Sequence, residues 1–301
     1  MPVVYRSGLT DSSRWAAATL RPGDIVISTP SKCGTTWMQM ICALLIFQSV
    51  ELPAALTTLS PWLDMRLRPL PEVLGLLEGQ NHRRFIKTHT PLDGLPQVDG
   101  VHYVVVGRDP RDVAVSMDRH RANLNITVIE SLSGSPAGPG PSGRSASAAR
   151  PADLRERVMR WIRDERPPAA NLDSLRALVW HLAGAWARRQ EPMVTLVHFD
   201  DLRHDLEGRM RYLAARLDIA VAEALWPALV EAASFDRMRA GAADLAPDER
   251  LGLFSDPQAF FRSGTSGQWR GTLTEGDLGE YRRLIRSLAS PDFIGWIERG
   301  R

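Results

Sequence analysis

The sequence predicts an α/β fold, in which a central parallel sheet of four to five strands is flanked by helices in a three-layer arrangement. Two observations predict it. Stretches at 25–27, 83–87, 101–107 and 193–199 read as strands, and the first is a continuous β-branched run, as a strand buried on both faces is. The first and third pass through a short turn directly into a helix, and in such folds functional groups collect at the carboxyl ends of the strands.

Taken in order, residues 1–23 read as a short helical lead-in that ends on the turn Arg21-Pro22-Gly23, with no function visible. The chain then runs from Ile25-Val26-Ile27 through Pro30-Ser31-Lys32-Cys33-Gly34-Thr35-Thr36 into an apolar-rich helix. This is the order of a phosphate-binding loop: the helix start offers unpaired N–H groups and a positive dipole end, and Gly34 lets the backbone approach a ligand. Thr35 and Thr36 add hydroxyls and Lys32 a charge, so the fold is read as P-loop-containing. An ordinary strand-to-helix turn shares this outline. Pro61-Trp62-Leu63 places apolar bulk in a loop, either as a substrate wall or as a cap tucked into the core.

The second strand ends in Lys87-Thr88-His89-Thr90-Pro91, which would project His89 from the sheet edge as a base or as a structural histidine. After the third strand, Asp109 is a plausible N-cap with Pro110 at the first helical position. Arg108 at that junction could fork onto a phosphate, with Ser116 nearby on the helix, or pair with Asp109 or Asp112. The stretch 131–150 is Ser, Gly, Pro and Ala of low complexity and is expected to be a mobile loop inserted within one domain spanning 1–301. Helices follow at 154–163 and 172–189, the latter with Trp180 and Trp186 at helical spacing as expected core. Asp200 and Asp201, after the fourth strand, read as the N-cap and first-turn acids of a helix to about 217 rather than as a metal site. Helix continues at 227–239, residues 258–274 form a Gly-rich, basic, aromatic-bearing loop, and an amphipathic helix from 278 closes the chain.

Composition bounds the function. The chain has 301 residues, 44% hydrophobic and 24% charged, with a net charge of +2, so nothing general argues for a nucleic-acid or membrane partner. Cys33 and Cys42 lie too far apart along one helical rod to bridge, and no signal segment or run of 18 apolar residues is visible, which predicts a cytoplasmic chain. Lys and Arg total 37, yet lysine occurs only at 32 and 87, both beside candidate chemistry. A compact ammonium can follow charge on one oxygen and shift its pKa, which a guanidinium does not do. The arginine and small-residue bias suggests a GC-rich bacterial genome.

Four motifs in order, Lys32-Cys33-Gly34-Thr35-Thr36-Trp37, Lys87-Thr88-His89-Thr90-Pro91, Arg108-Asp109-Pro110-Arg111-Asp112 with Ser116, and Phe260-Phe261-Arg262-Ser263-Gly264 with Gly267-Gln268-Trp269, resemble those of the cytosolic sulfotransferase family. The family moves a sulfuryl group from 3′-phosphoadenosine 5′-phosphosulfate (PAPS) to a hydroxyl or amine. The resemblance implies that Lys32, Gly34, Thr35 and Thr36 hold the 5′-phosphosulfate, that Trp37 and Phe235 flank the adenine, and that Arg108, Ser116, Arg262 and Gly264 hold the 3′-phosphate. It makes His89 the base and gives Lys87 the transferred sulfuryl oxygens. Departures from the pattern fall among the same donor-binding positions: Cys33 replaces serine, Ser263 replaces lysine, Phe199 replaces tyrosine and Ala233 replaces threonine, while Phe261 lies inside the last motif. The family's dimer motif is not recognisable, leaving monomer or homodimer.

In-line transfer of this kind rests on positioning and electrostatics. Sulfate carries less charge than phosphate, so no metal is expected, and Lys32, preceding the glycine, would sit by the leaving oxygen. The acceptor is expected to be a small, hydrophobic alcohol or phenol, held by loops at 61–70, 90–96, after 130 and 245–254. A kinase using ATP and a non-catalytic adenine-nucleotide-binding regulator are the alternatives.

Overall fold

The computed structural model describes residues 1–133, 153–245, 252–256, 259 and 264–300. Four strands, β1 (Ile25–Ser28), β2 (Phe85–Thr88), β3 (His102–Gly107) and β4 (Val194–His198), form one parallel sheet in the order β2-β1-β3-β4. Ile27 is in register with Lys87 on one side and with Val104 on the other. Both faces are covered, which is why the strands are apolar at odd and even positions alike. Val26, Ile86, Tyr103 and Val105 enter one core, and Ile25, Ile27, Phe85, Val104 and Val106 enter the other.

The second of these cores is filled by helix α1 (Thr35–Phe47), whose Met38, Ile41, Leu44 and Leu45 are fully buried. Side chains of this size each contribute about 1.5–3 kcal/mol on burial. Residues of the Pro110–Asn123, Leu154–Ile162, Leu175–Ala187, Glu275–Leu288 and Pro291–Arg299 helices cover the other face. Asp109 caps the first of these through the Arg111 amide at 2.9 Å, with Pro110 at the first position, and Thr274 and Asp277 form a capping box on the fourth. At the amino ends of β1 and β2, Asp24 and Arg84 form a buried ion pair. A carboxylate and a guanidinium this deep are tolerable only together.

Several sequence expectations change. The lead-in at 1–23 contains one 3₁₀ segment, Ser12–Ala17, rather than an α-helix. Trp180, expected in the core, is 51% exposed and donates its indole N–H to the Tyr5 hydroxyl at 3.0 Å. The helix expected to run to 217 breaks at Asp205, which caps Leu206–Arg216 through the Gly208 amide. The segment at 227–239 is likewise two helices, Trp226–Ala233 and Phe235–Ala240, with Ser234 capping the second. Of the stretch 131–150, the first three residues close the Ile126–Ser133 helix and 134–150 lie outside the described residues. Among the described residues no helix is long and apolar enough to cross a membrane.

Candidate active site

Every strand delivers a candidate residue at its carboxyl end: Lys32 to Thr36 follow β1, His89 follows β2, Arg108 follows β3 and Phe199 follows β4. Parallel pairing makes this one edge, so groups far apart in sequence meet there.

Gly34 starts α1 at φ +102° and no side chain caps the helix. The first-turn amides therefore remain available to an anion. A Cβ at Gly34 would lie 3.1 Å from the Phe199 ring, so the position needs glycine both for its backbone and for its neighbour. Lys32 is also left-handed, at φ 68°. Burial, with repulsion from Arg108 and Lys87, pushes its ammonium down to about 7. Thr35 and Thr29 share a hydroxyl–hydroxyl hydrogen bond. Cys33 is fully buried, and burial pushes its thiol up to about 12. Trp37 packs inward, donating to the Ala233 carbonyl at 2.8 Å and standing edge-on to Phe199.

His89 Nδ1 lies 2.7 Å from the Thr29 carbonyl. A carbonyl only accepts, so Nδ1 carries the proton and Nε2 keeps its lone pair. Burial pushes the imidazole down to about 3, with Lys87 adding repulsion and the Thr29 hydrogen bond opposing it. The Lys87 ammonium sits 4.2 Å from the centre of the Trp62 ring. His120 joins the same field: burial holds it well below its usual range, and Lys32, His89 and Lys87 push it further.

Arg108 pairs with neither Asp109 nor Asp112. Its guanidinium donates to the Lys32 carbonyl at 3.0 Å and to the Thr265 carbonyl at 3.1 Å, and covers the Phe199 ring at 4.1 Å. Asp109 instead holds Arg111 at 2.7 Å, and Asp112 accepts the Gly267 and Gln268 amides at 2.8 and 2.6 Å. These two carboxylates thus free Arg108 while tethering the carboxyl-terminal loop. Ser116 is half-buried on the same helix, and Gly264, at φ 55°, lies so close to Phe235 that a Cβ would fall 2.6 Å from the ring. Phe261, Arg262 and Ser263 lie outside the described residues. Asp200 and Asp201 both fall in the first turn of Phe199–His204, and the cap expected of this pair is instead His198, whose ring accepts the Asp200 amide. Among the described residues no group of three or more His, Cys, Asp or Glu is placed to hold a metal ion.

The sulfotransferase domain model matches residues 22–291, which span all four strands and the whole of this edge. The chain belongs to the sulfotransferase family. A glycolipid sulfotransferase of Mycobacterium bovis is 41% identical, with 99% of this chain and 95% of that protein covered. The luciferin sulfotransferase of Photinus pyralis is 25% identical over 85% of this chain and 69% of its own length. Two solved structures share the fold. Retinol dehydratase in complex with retinol and PAP has a TM-score of 0.69 at 22% identity, covering 94% and 87% of the two chains. Mouse sulfotransferase SULT7A1 complexed with PAP has 0.69 at 18%, covering 95% and 90%.

Sequence reasoning missed several residues of this sulfotransferase's edge. Thr29, which fixes the His89 tautomer, acts through its backbone, and no side-chain pattern announces that. Trp62 borders a cavity with Lys87, Thr36, Gln39 and Met65, where the sequence favoured a core cap over a substrate wall. His120 lies one helical turn beyond Ser116, a spacing that could have flagged it.

Proposed function

We propose that this sulfotransferase moves a sulfuryl group from PAPS to a hydroxyl of a hydrophobic acceptor, with His89 as general base. The observation that carries this is the His89 tautomer: Thr29 occupies Nδ1, which leaves Nε2 facing its proton-accepting task. An imidazole pushed down to about 3 is neutral at any working pH, and an anionic donor beside Lys87 and Lys32 would offset their repulsion and raise its basicity.

The residues fit a nucleotide carrying anions at two ends. At one end are the uncapped first turn of α1 and the Lys32 ammonium, and Arg108 stands toward the other with its buried Nε lacking a hydrogen-bond partner among the described residues. PAPS supplies the activated sulfuryl group when bound. Lys32 would stabilise charge on the leaving oxygen, and Lys87 would orient the oxygens of the moving group. Thr35, Thr36, Ser116 and the loop around Gly264 would complete the hold, with Trp37, Phe199 and Phe235 toward the base.

For the acceptor, the cavity beside Lys87 supports an amphiphile, since Leu56, Pro61, Trp62, Met65 and Val73 border it together with Gln39 and Ser60. The 41% identical relative is named for a glycolipid, which supports a lipid-borne hydroxyl here too. A panel of phenols, long-chain alcohols and glycolipids with labelled PAPS identifies it. His89→Ala should bind PAP as the wild type does by calorimetry and lose turnover; full activity in that variant overturns the role of His89. Tighter binding of ATP than of PAP would count against the donor.

A further inference from the structure

Resting on the assignment of His89 as base, we infer that Asp64 is its positioning residue, a buried carboxylate that aims the histidine without touching the reacting groups. Asp64 is 1% exposed, and its Oδ2 accepts from the hydroxyls of Thr88 and Thr90, each at 2.6 Å. These two residues flank His89. β2 ends at Thr88 and the chain bends at Thr90, and both threonines turn to the one carboxylate. Holding them there fixes the backbone on either side of His89, whose Nδ1–H is received by the Thr29 carbonyl.

The rest of the cluster fixes the same three residues. The Thr88 hydroxyl, which donates to Asp64, accepts the Thr90 amide at 2.9 Å and so closes the chain tightly around His89. Ser28 donates to the Thr90 carbonyl at 2.7 Å and lies 2.9 Å from His181 Nε2, both residues being buried. The indole N–H of Trp15 reaches Asp64 Oδ2 at 3.4 Å, and the Asp64 carbonyl receives the Asp11 amide at 2.8 Å. The amino-terminal segment, silent in the sequence, is thus joined to the base through one carboxylate.

Packing alone does not call for a carboxylate here. No ion pair of the described residues involves Asp64, its Oδ1 is buried without a hydrogen-bond partner, and burial pushes its carboxyl above the usual range. An apolar side chain could fill the same space, but it would leave the Thr88 and Thr90 hydroxyls and the Trp15 N–H without their acceptor. What the carboxylate adds is one acceptor shared by two hydroxyls, which sets the direction of the residue between them.

The test uses Asp64→Asn, which keeps the shape, and Thr90→Val, which removes one of the two hydroxyls should the first variant fold poorly. In either variant kcat should fall about tenfold to a hundredfold, the loss expected of a misplaced catalytic group. The PAP dissociation constant and the acceptor KM should stay within about twofold, inside the context scatter of single-site effects. Ring ¹⁵N shifts of His89 should show a single Nδ1–H tautomer in the wild type and a mixture in the variants. In a His89→Ala background, Asp64→Asn should leave the residual single-turnover rate unchanged. A loss of equal size in that background, or an unaltered His89 tautomer alongside a reduced kcat, overturns the inference. A changed tautomer with undiminished activity would instead overturn the role of His89, so the two failures are distinguishable.

Discussion

The indole of Trp62 stands edge-on to the imidazole of His89, with ring centroids 4.9 Å apart and planes at 85°. The same indole carries the Lys87 ammonium on its face. One side chain therefore touches both groups next to the reacting position, and Trp62 should matter to rate more than to donor affinity. Trp62→Ala should lower kcat/KM for the acceptor by about tenfold to a hundredfold, whereas Trp62→Phe, which keeps a ring face, should lose less. Steady-state kinetics in the acceptor, with PAP calorimetry as control, checks both.

Donor binding should weaken on the alkaline side. In the free protein the Lys32 ammonium is pushed down to about 7, so it is lost as pH rises through 7, while an anionic ligand binds the protonated form better. Above pH 7 the PAP dissociation constant should rise by up to about tenfold per pH unit until the bound-state value is reached. Lys32→Met should bind weakly with a flatter pH dependence. Calorimetry from pH 6 to about 9 reads both curves.

Gly34→Ala combines a left-handed backbone with a Cβ 3.1 Å from Phe199. The conformational cost alone is about 1–2 kcal/mol. Denaturant unfolding should show at least this loss, and PAP binding should weaken with it because the same residue starts α1. A variant as stable as the wild type would mean that the loop relaxes out of the left-handed region.

Acid should destabilise the fold through His181. Its ring is 2% exposed, and burial pushes it down to about 3 from an ordinary 6.5, so the unfolded chain takes up the proton first. Stability contributed by neutral His181 is intact above pH 6.5 and is lost as pH falls from 6.5 toward 3, at about 1.4 kcal/mol per unit. Urea midpoints measured at descending pH should fall less steeply for His181→Asn than for the wild type.

Much of the site is legible in the sequence because its parts are local. A strand, a turn and a helix start are adjacent in the chain, so Lys32, His89 and Arg108 can be placed at one edge without coordinates. What the sequence hides is pairing over distance. Asp64 meets Thr88 across 24 residues and Arg108 meets Thr265 across 157, and neither separation has a periodicity. Trp180 fails for a related reason: helical spacing assigns it to the apolar side, but its N–H finds Tyr5 175 residues away and its ring stays outside. The helix breaks at Asp205 and Ser234 are caps, and inside an otherwise helical pattern one Asp or Ser reads as an ordinary surface residue.

The two cysteines make the protein its own reporter. Cys33 and Cys42 are fully buried, and burial pushes both thiols up to about 12. The folded chain offers an alkylating reagent almost no thiolate at neutral pH. Cys33 belongs to the anion loop and Cys42 to the interior of α1, so modification of the first clocks opening of the loop and modification of the second clocks opening of the core. With no other thiol in the chain, the ratio of the two rates separates motion at the site from unfolding of the whole, with no label introduced.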